Sequence, residues 1–188
     1  LSEFSRVPTD RGSTLHLLIK LSTAASSASE RLPLNVSLVL DRSGSMSGKS
    51  LAYTRQAAQH LISKLQPQDT VSVVVYDDQV DVLSGPVSGT QRRELSAALG
   101  RVEARGTTNL SGGWLSGLSL AQRGVRDGCL SRVLLMTDGM ANRGVTDPSS
   151  LVRIGREFLA RGVRTTTLGF GDRFNEDLLT RIADESGG

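Results

Sequence analysis

Apolar residues recur along this chain in two rhythms: short dense runs, and longer segments in which they return at roughly helical spacing. The dense runs Leu34–Leu40, Val71–Tyr76, Arg132–Met136 and Val163–Leu168 predict buried strands. A partly alternating run, Thr14–Leu21, predicts one more strand at a sheet edge, followed by a Ser- and Ala-rich loop from Thr23 to Arg31. The spaced segments predict helices. Gly48–Leu65 brings Leu51, Ala58, Leu61, Ile62 and Leu65 to one face. Thr90 is placed to cap a helix running through Leu99. Ser111 to about Gln122 forms the next, with Leu115, Leu118 and Trp114 inward. Asp147-Pro148 opens a helix with proline in its first turn, and Asn175–Asp184 is the last. Pro67–Asp69 reads as a turn. Asp77-Asp78 joins Val71–Tyr76 to a short antiparallel partner, Val80–Leu83.

Strands separated by helices of this length form βαβ units with right-handed crossovers. The expected fold is α/β: a Rossmann-like, open, mostly parallel central sheet with helices on both faces and one antiparallel edge strand. Composition agrees. Hydrophobic residues make up 38% of the 188 but aromatics only 4%, so aliphatic side chains must fill the interior. Residues 1–33 read as an N-terminal extension of strand and loop, and 34–188 as the main domain. A further strand and helix would be natural after Ser186-Gly-Gly188, so a shortened C-terminus is expected. The start at Leu1 rather than Met fits a domain cut from a longer chain.

The net charge of +3 is spread, with acids between the arginines and Arg92-Arg93 the only adjacent basic pair. No basic run or stripe marks a nucleic-acid footprint. No stretch is long and apolar enough to insert in a membrane. Cys129 is the only cysteine, which excludes an internal disulfide and leaves a small apolar packing group.

In open α/β sheets ligands bind beyond the carboxyl ends of the strands. Three polar clusters fall there: Asp41-Arg-Ser43-Gly-Ser45, Thr108 in the loop Gly106-Thr-Thr-Asn109, and Asp138 in Thr137-Asp-Gly139. Two carboxylates and three hydroxyls are hard oxygen donors, and no His or thiolate stands among them. Such a set suits magnesium, manganese or calcium rather than zinc or copper. In an extended loop, side chains two apart point the same way, which brings Asp41, Ser43 and Ser45 toward one ion. Two carboxylates balance a divalent charge and leave a coordination position for an outside oxygen, for which a partner's carboxylate is suited. Arg42, Arg105 and Arg143 lie in the same loops, either solvated or as a basic rim that draws an acidic partner. Met46 and Met140 flank the site, as loop packing or as an apolar collar.

The series Asp41-x-Ser43-x-Ser45, Thr108, then Asp138 in Thr-Asp-Gly resembles the metal-ion-dependent adhesion site of von Willebrand factor type A domains. The wording Leu40-Asp-Arg-Ser-Gly-Ser-Met-Ser-Gly-Lys49 is similar to bacterial members and to the chloride-channel-accessory and inter-α-trypsin-inhibitor-like branches. The resemblance runs from about Asn35 to the end. It implies that Asp41, Ser43, Ser45, Thr108 and Asp138 are the metal ligands. It also implies magnesium as the first expectation, with manganese or calcium as alternatives, and an adhesion or assembly role toward a protein partner presenting Asp or Glu. Thr108 rather than Thr107 follows from the family pattern, in which the ligand immediately precedes Asn. Here Thr107 replaces the second glycine of that pattern.

Other motifs have plainer readings. Gly169-Phe-Gly-Asp172 lacks the full glycine spacing of a phosphate loop and reads as a turn. Ser47-Gly-Lys-Ser50 lacks the upstream glycine of a nucleotide-binding loop and reads as helix entry. His16 and His60 are far apart in sequence and neither adjoins the cluster, so no catalytic dyad with Ser43 or Ser45 is expected. Gly139 and Asn142 read as loop-shaping residues. Two rivals to metal-dependent protein binding stand: a magnesium-dependent phosphoryl-transfer or hydrolytic enzyme, for which no base or phosphate cradle is evident, and a structural domain that requires no metal.

Overall fold

The computed structural model describes residues 31–171 and 174–188. The expected strand Thr14–Leu21, most of the loop after it, His16 and Asp172 lie outside them. Among the described residues five strands form one sheet: β1 (Leu34–Asp41), β2 (Thr70–Tyr76), β3 (Val80–Ser88), β4 (Leu130–Thr137) and β5 (Val163–Gly169). The order is β3-β2-β1-β4-β5, and every pairing is parallel except that of β2 with β3. This is the open, mostly parallel sheet with an antiparallel edge that the hydrophobic pattern predicts.

Helices α1 (Lys49–Lys64) and α2 (Arg92–Gly100) cover one face, and α3 (Leu110–Gln122), α4 (Pro148–Ala160) and α5 (Glu176–Glu185) the other. Alternation along the strands divides the core in two. Val36, Leu38 and Leu40 of β1 join Leu51, Ala58 and Ile62 of α1, while Val39 faces Leu110, Trp114 and Leu118 of α3. Both faces of β1 are therefore buried, which is why it reads as an almost unbroken apolar run. Glycines let α3 approach the sheet closely. A Cβ at Gly117 would stand 2.2 Å from Val39 Cγ2, and one at Gly113 would stand 2.3 Å from the Tyr76 ring.

Some expectations are corrected. Thr90 does not cap α2; its hydroxyl bonds Ser88 Oγ at 3.2 Å, and Gln91 holds the cap position without a side-chain bond. Strand β3 extends past Leu83 to Ser88, carrying Gly85 and Pro86 along an edge where a missing N–H is tolerated and where register shifts absorb the irregularity. Residues Gly44–Met46 form a 3-10 turn rather than an extended segment. Asp147 does cap α4, accepting from Ser150 N at 2.8 Å, with Pro148 at the first turn.

Candidate metal centre

Parallel register sets the geometry of the rim. Asp41 is level with Tyr76 across β2, and Leu40 with Met136 across β4, so the chain leaves β1 and β4 at the same height. Asp41 ends β1 wholly buried, and its Oδ2 accepts from Thr137 Oγ1 at 2.6 Å and from the Tyr76 hydroxyl at 3.3 Å. Its Oδ1 accepts from the Ser43 backbone N–H at 2.8 Å. Burial pushes the Asp41 carboxyl above its ordinary value; the Thr137 and Ser43 hydrogen bonds oppose this, and the nearby charge of Asp138 adds to it. Burial, and then the Asp41 charge, raise Tyr76 well above its ordinary value, so it remains a hydroxyl donor to Asp41.

The loop after β1 turns tightly. Ser43 Oγ and Ser45 Oγ lie 3.1 Å apart, so the two hydroxyls meet although the backbone is a turn and not extended. Ser43 is buried and Ser45 exposed, which orders the donors from the floor of the rim toward solvent. Met46, one residue on, is fully buried in the core beneath α1. It is packing and not a collar, whereas Met140 is 52% exposed.

Thr108 is buried and Thr107 exposed, so of the two it is Thr108 that belongs to the interior of the rim. Its N–H donates to Asn142 Oδ1 at 2.8 Å, and its carbonyl accepts from the backbone N–H groups of Asn142 and Arg143. Asn142 thus shapes the Thr108 loop from the loop that follows β4. Gly44 N–H donates to Gly106 O at 3.1 Å, tying the serine loop to the Thr108 loop. Asp138 is buried; its Oδ1 accepts from Met140 N–H at 3.0 Å, and its carbonyl from Asn175 N–H at 2.8 Å. The three clusters therefore converge on one end of the sheet.

The arginines are not a free basic rim. Arg42 is buried and donates to Asp77 Oδ2 at 2.9 Å and also to Asp81. Arg105 donates to Asp77 Oδ2 at 2.6 Å and to Asp81 Oδ2 at 3.3 Å. Only Arg143 of the three is exposed without an ion pair among the described residues. No Lys or Arg among the described residues is ion-paired with Asp41 or Asp138. Burial pushes Asp77 up, but the Arg105 hydrogen bond, the Gln79 backbone N–H and the Arg42 charge together hold it below its ordinary value. The sequence reading missed this network. Its only linear trace is an acidic pair, Asp77-Asp78, closing a strand.

Among the described residues no three His, Cys, Asp or Glu side chains cluster as ligands. The rim instead presents two carboxylates beside Ser and Thr hydroxyls, an all-oxygen donor set suited to a hard divalent cation. Two neighbouring buried carboxylates without a cationic side chain fit such an ion.

A mostly parallel open sheet with these loops at its carboxyl edge defines a class of domain. The chain belongs to the von Willebrand factor type A domain family, whose model matches residues 35–188. It is similar to the uncharacterized protein YfbK of Escherichia coli, with 33% identity over 163 residues, 85% of this chain and 28% of YfbK. It is also similar to human inter-alpha-trypsin inhibitor heavy chain H4, with 28% identity over 165 residues, 84% of this chain and 18% of that protein. The chain thus spans less than a third of the length of either relative. Two solved structures share the fold. BatB from Bacteroides thetaiotaomicron has a TM-score of 0.65 at 16% identity, covering 84% of this chain and 87% of BatB. Manganese-loaded Plasmodium vivax TRAP has a TM-score of 0.66 at 22% identity, covering 81% of this chain and 63% of TRAP. Domains of this family commonly serve as protein-interaction and adhesion modules and are generally not enzymes.

Proposed function

We propose that residues 34–188 form a non-enzymatic binding domain that takes a divalent cation at this rim and uses it to hold an Asp or Glu carboxylate of a partner protein. Residues 1–33 are its N-terminal extension. Asp41, Ser43, Ser45, Thr108 and Asp138 are the residues that would hold the ion, with magnesium the first choice. The observation that carries this reading is the Asp41–Asp138 pair: two buried carboxylates at neighbouring strand ends, bonded by hydroxyl and amide donors but paired with no described arginine or lysine. A bound cation supplies the missing positive charge and a Lewis-acidic position for an outside oxygen. The chain's own residues do the rest. Thr137 and Tyr76 fix the orientation of the Asp41 carboxylate from below, and the 3-10 turn sets Ser43 and Ser45 side by side. Asn142 fastens the Thr108 loop. A cleft of about 310 Å³ beside the loop after β4, between Met140, Pro148 and Leu178, offers room for partner residues next to the captured acid. The TRAP relative of like fold was crystallised with manganese, which suits an oxygen-only site.

The test is calorimetric titration of the protein and of Asp41→Ala with magnesium and manganese, alongside partner capture with and without chelator. We expect the variant to stay folded and to lose both cation and partner binding. Partner binding that survives either the substitution or chelation would sink the proposal. Turnover of a phosphate ester that requires magnesium and Asp41 would replace it with an enzyme.

A further inference from the structure

We infer that Asp77, which is not itself one of the oxygen donors, is the positioning residue that locks two of the three ligand loops together. Through them it sets how tightly the rim takes a divalent cation; that second step rests on the function proposed above. Among the described residues, every hydrogen bond of Asp77 leads to one of those loops or back to its own turn. Its backbone carbonyl accepts from Asn109 N–H at 2.7 Å, one residue past Thr108. Its Oδ2 accepts from Arg42 Nε at 2.9 Å, and Arg42 lies between Asp41 and Ser43. The same oxygen accepts from Arg105 Nε at 2.6 Å, three residues before Thr108. Its Oδ1 is taken by Gln79 N–H at 2.7 Å, which fixes the carboxylate plane.

The two loops also bond each other directly. Arg105 N–H donates to Arg42 O at 2.8 Å, and Gly44 N–H to Gly106 O at 3.1 Å. Carboxylate, guanidinium groups and backbone thus close a ring around the junction, with Asp77 as its wholly buried acidic member. The fit is close. Gly106 has φ +67°, and a Cβ there would lie 2.0 Å from Asp78 Oδ1 and 3.3 Å from Asp77 Cβ. Arg42 is itself buried, so without Asp77 its guanidinium loses its innermost counter-charge, keeps only the part-exposed Asp81 and is drawn outward toward it. That movement begins at the residue between two proposed ligands. Partners that orient metal ligands without touching the metal commonly change affinity by about 10–100-fold when removed.

The experiment uses Asp77→Asn in the whole chain, a change that keeps shape and removes charge. Amide hydrogen exchange in metal-free protein is read at Gly44 and Asn109 and, as internal control, at Leu135 in β4. Magnesium and manganese titrations are run in parallel. We expect exchange at Gly44 and Asn109 to quicken by about tenfold or more while Leu135 is unchanged, and cation affinity to fall by about 10–100-fold. Combining Asp77→Asn with Arg42→Gln should weaken cation binding no further than the stronger single change, because both break one link. Unchanged exchange at both loop amides, or equal acceleration at Leu135, overturns the positioning role. Local acceleration with unaltered affinity overturns its link to the cation. If wild-type protein takes up neither metal, the proposed function fails while the exchange measurement still decides the role of Asp77. Should Asp77→Asn not fold, Arg105→Gln removes the exposed limb of the same link, and unaltered exchange at Gly44 and Asn109 then overturns the proposal.

Discussion

Two acidic groups share the carboxyl rim of this sheet and meet opposite electrostatic surroundings. Asp77 and Asp81 are neutralised within the chain by Arg42 and Arg105. Asp41 and Asp138 are near neighbours of that network and receive only hydroxyl and amide donors among the described residues. The two carboxyls follow the division: the arginines and the Gln79 N–H hold Asp77 below its ordinary value, and burial pushes Asp41 above it. Among the described residues two arginines complete one acidic pair and none meets the other, and it is this second pair that the proposed function assigns to a cation. The finished pair braces the loops, and the open pair is the part that the braced loops present.

The contrast is broken most directly by neutralising one member of each group in metal-free protein. Asp77→Ala leaves the buried Arg42 guanidinium with only the part-exposed Asp81 and should cost about 3 kcal/mol of unfolding free energy. Asp41→Asn relieves a desolvated, repelled charge and should cost well under about 1 kcal/mol or stabilise, since the transfer of that charge into the interior was unfavourable. Denaturant unfolding of the two variants measures this, and equal losses would erase the distinction. Next in size, magnesium at about one hundred times its dissociation constant should stabilise the wild type by about 2.7 kcal/mol, seen as a rise in melting temperature. Asp41→Ala should show no such rise, whereas a rise that persists in that variant points to a cation bound elsewhere. The smallest effect serves as a control away from the rim. Asp147 is lowered to about 2 by the Ser149 and Ser150 hydroxyls and the Ser150 N–H. Its folded value lies below its ordinary 3.8, so its contribution is complete above that value and fades as pH falls toward about 2. Asp147→Ala should lower the melting temperature slightly at neutral pH, and the gap to wild type should close in acid; a gap that persists unchanged down to that pH means the carboxylate is not the cap.

Much of the fold was legible because buried parallel strands write themselves as nearly continuous apolar runs; Leu34–Leu40 leads straight into Asp41, and Arg132–Met136 leads through Thr137 to Asp138. The order of the strands and their common height then bring Asp41 and Asp138 together. Strand β3 was harder. Ser84, Gly85 and Pro86 interrupt its pattern, and only the edge position lets the strand run on to Ser88. The meeting of Ser43 and Ser45 was expected for a reason that does not hold, since a 3-10 turn and not a pleat brings them to 3.1 Å. The Asp77 network was illegible. Its members come from the end of β1, the β2–β3 turn, β3 itself and the loop before Thr108, and no spacing along the chain signals that Arg42 and Arg105 aim at the same carboxylate.

Met46 gives the rim one further property. Its side chain is driven into the interior one residue beyond Ser45, among Leu51, Leu40 and Met136. Any drift of the serine hydroxyls would withdraw that thioether and open a void beneath them, at a cost that grows with the emptied volume. The serine hydroxyls of the rim are in this way tethered to the deepest layer of the molecule. Stiffness at the surface is inherited from close packing below, and a change of volume at Leu51 or Leu40 should be felt as altered spacing between the two hydroxyls.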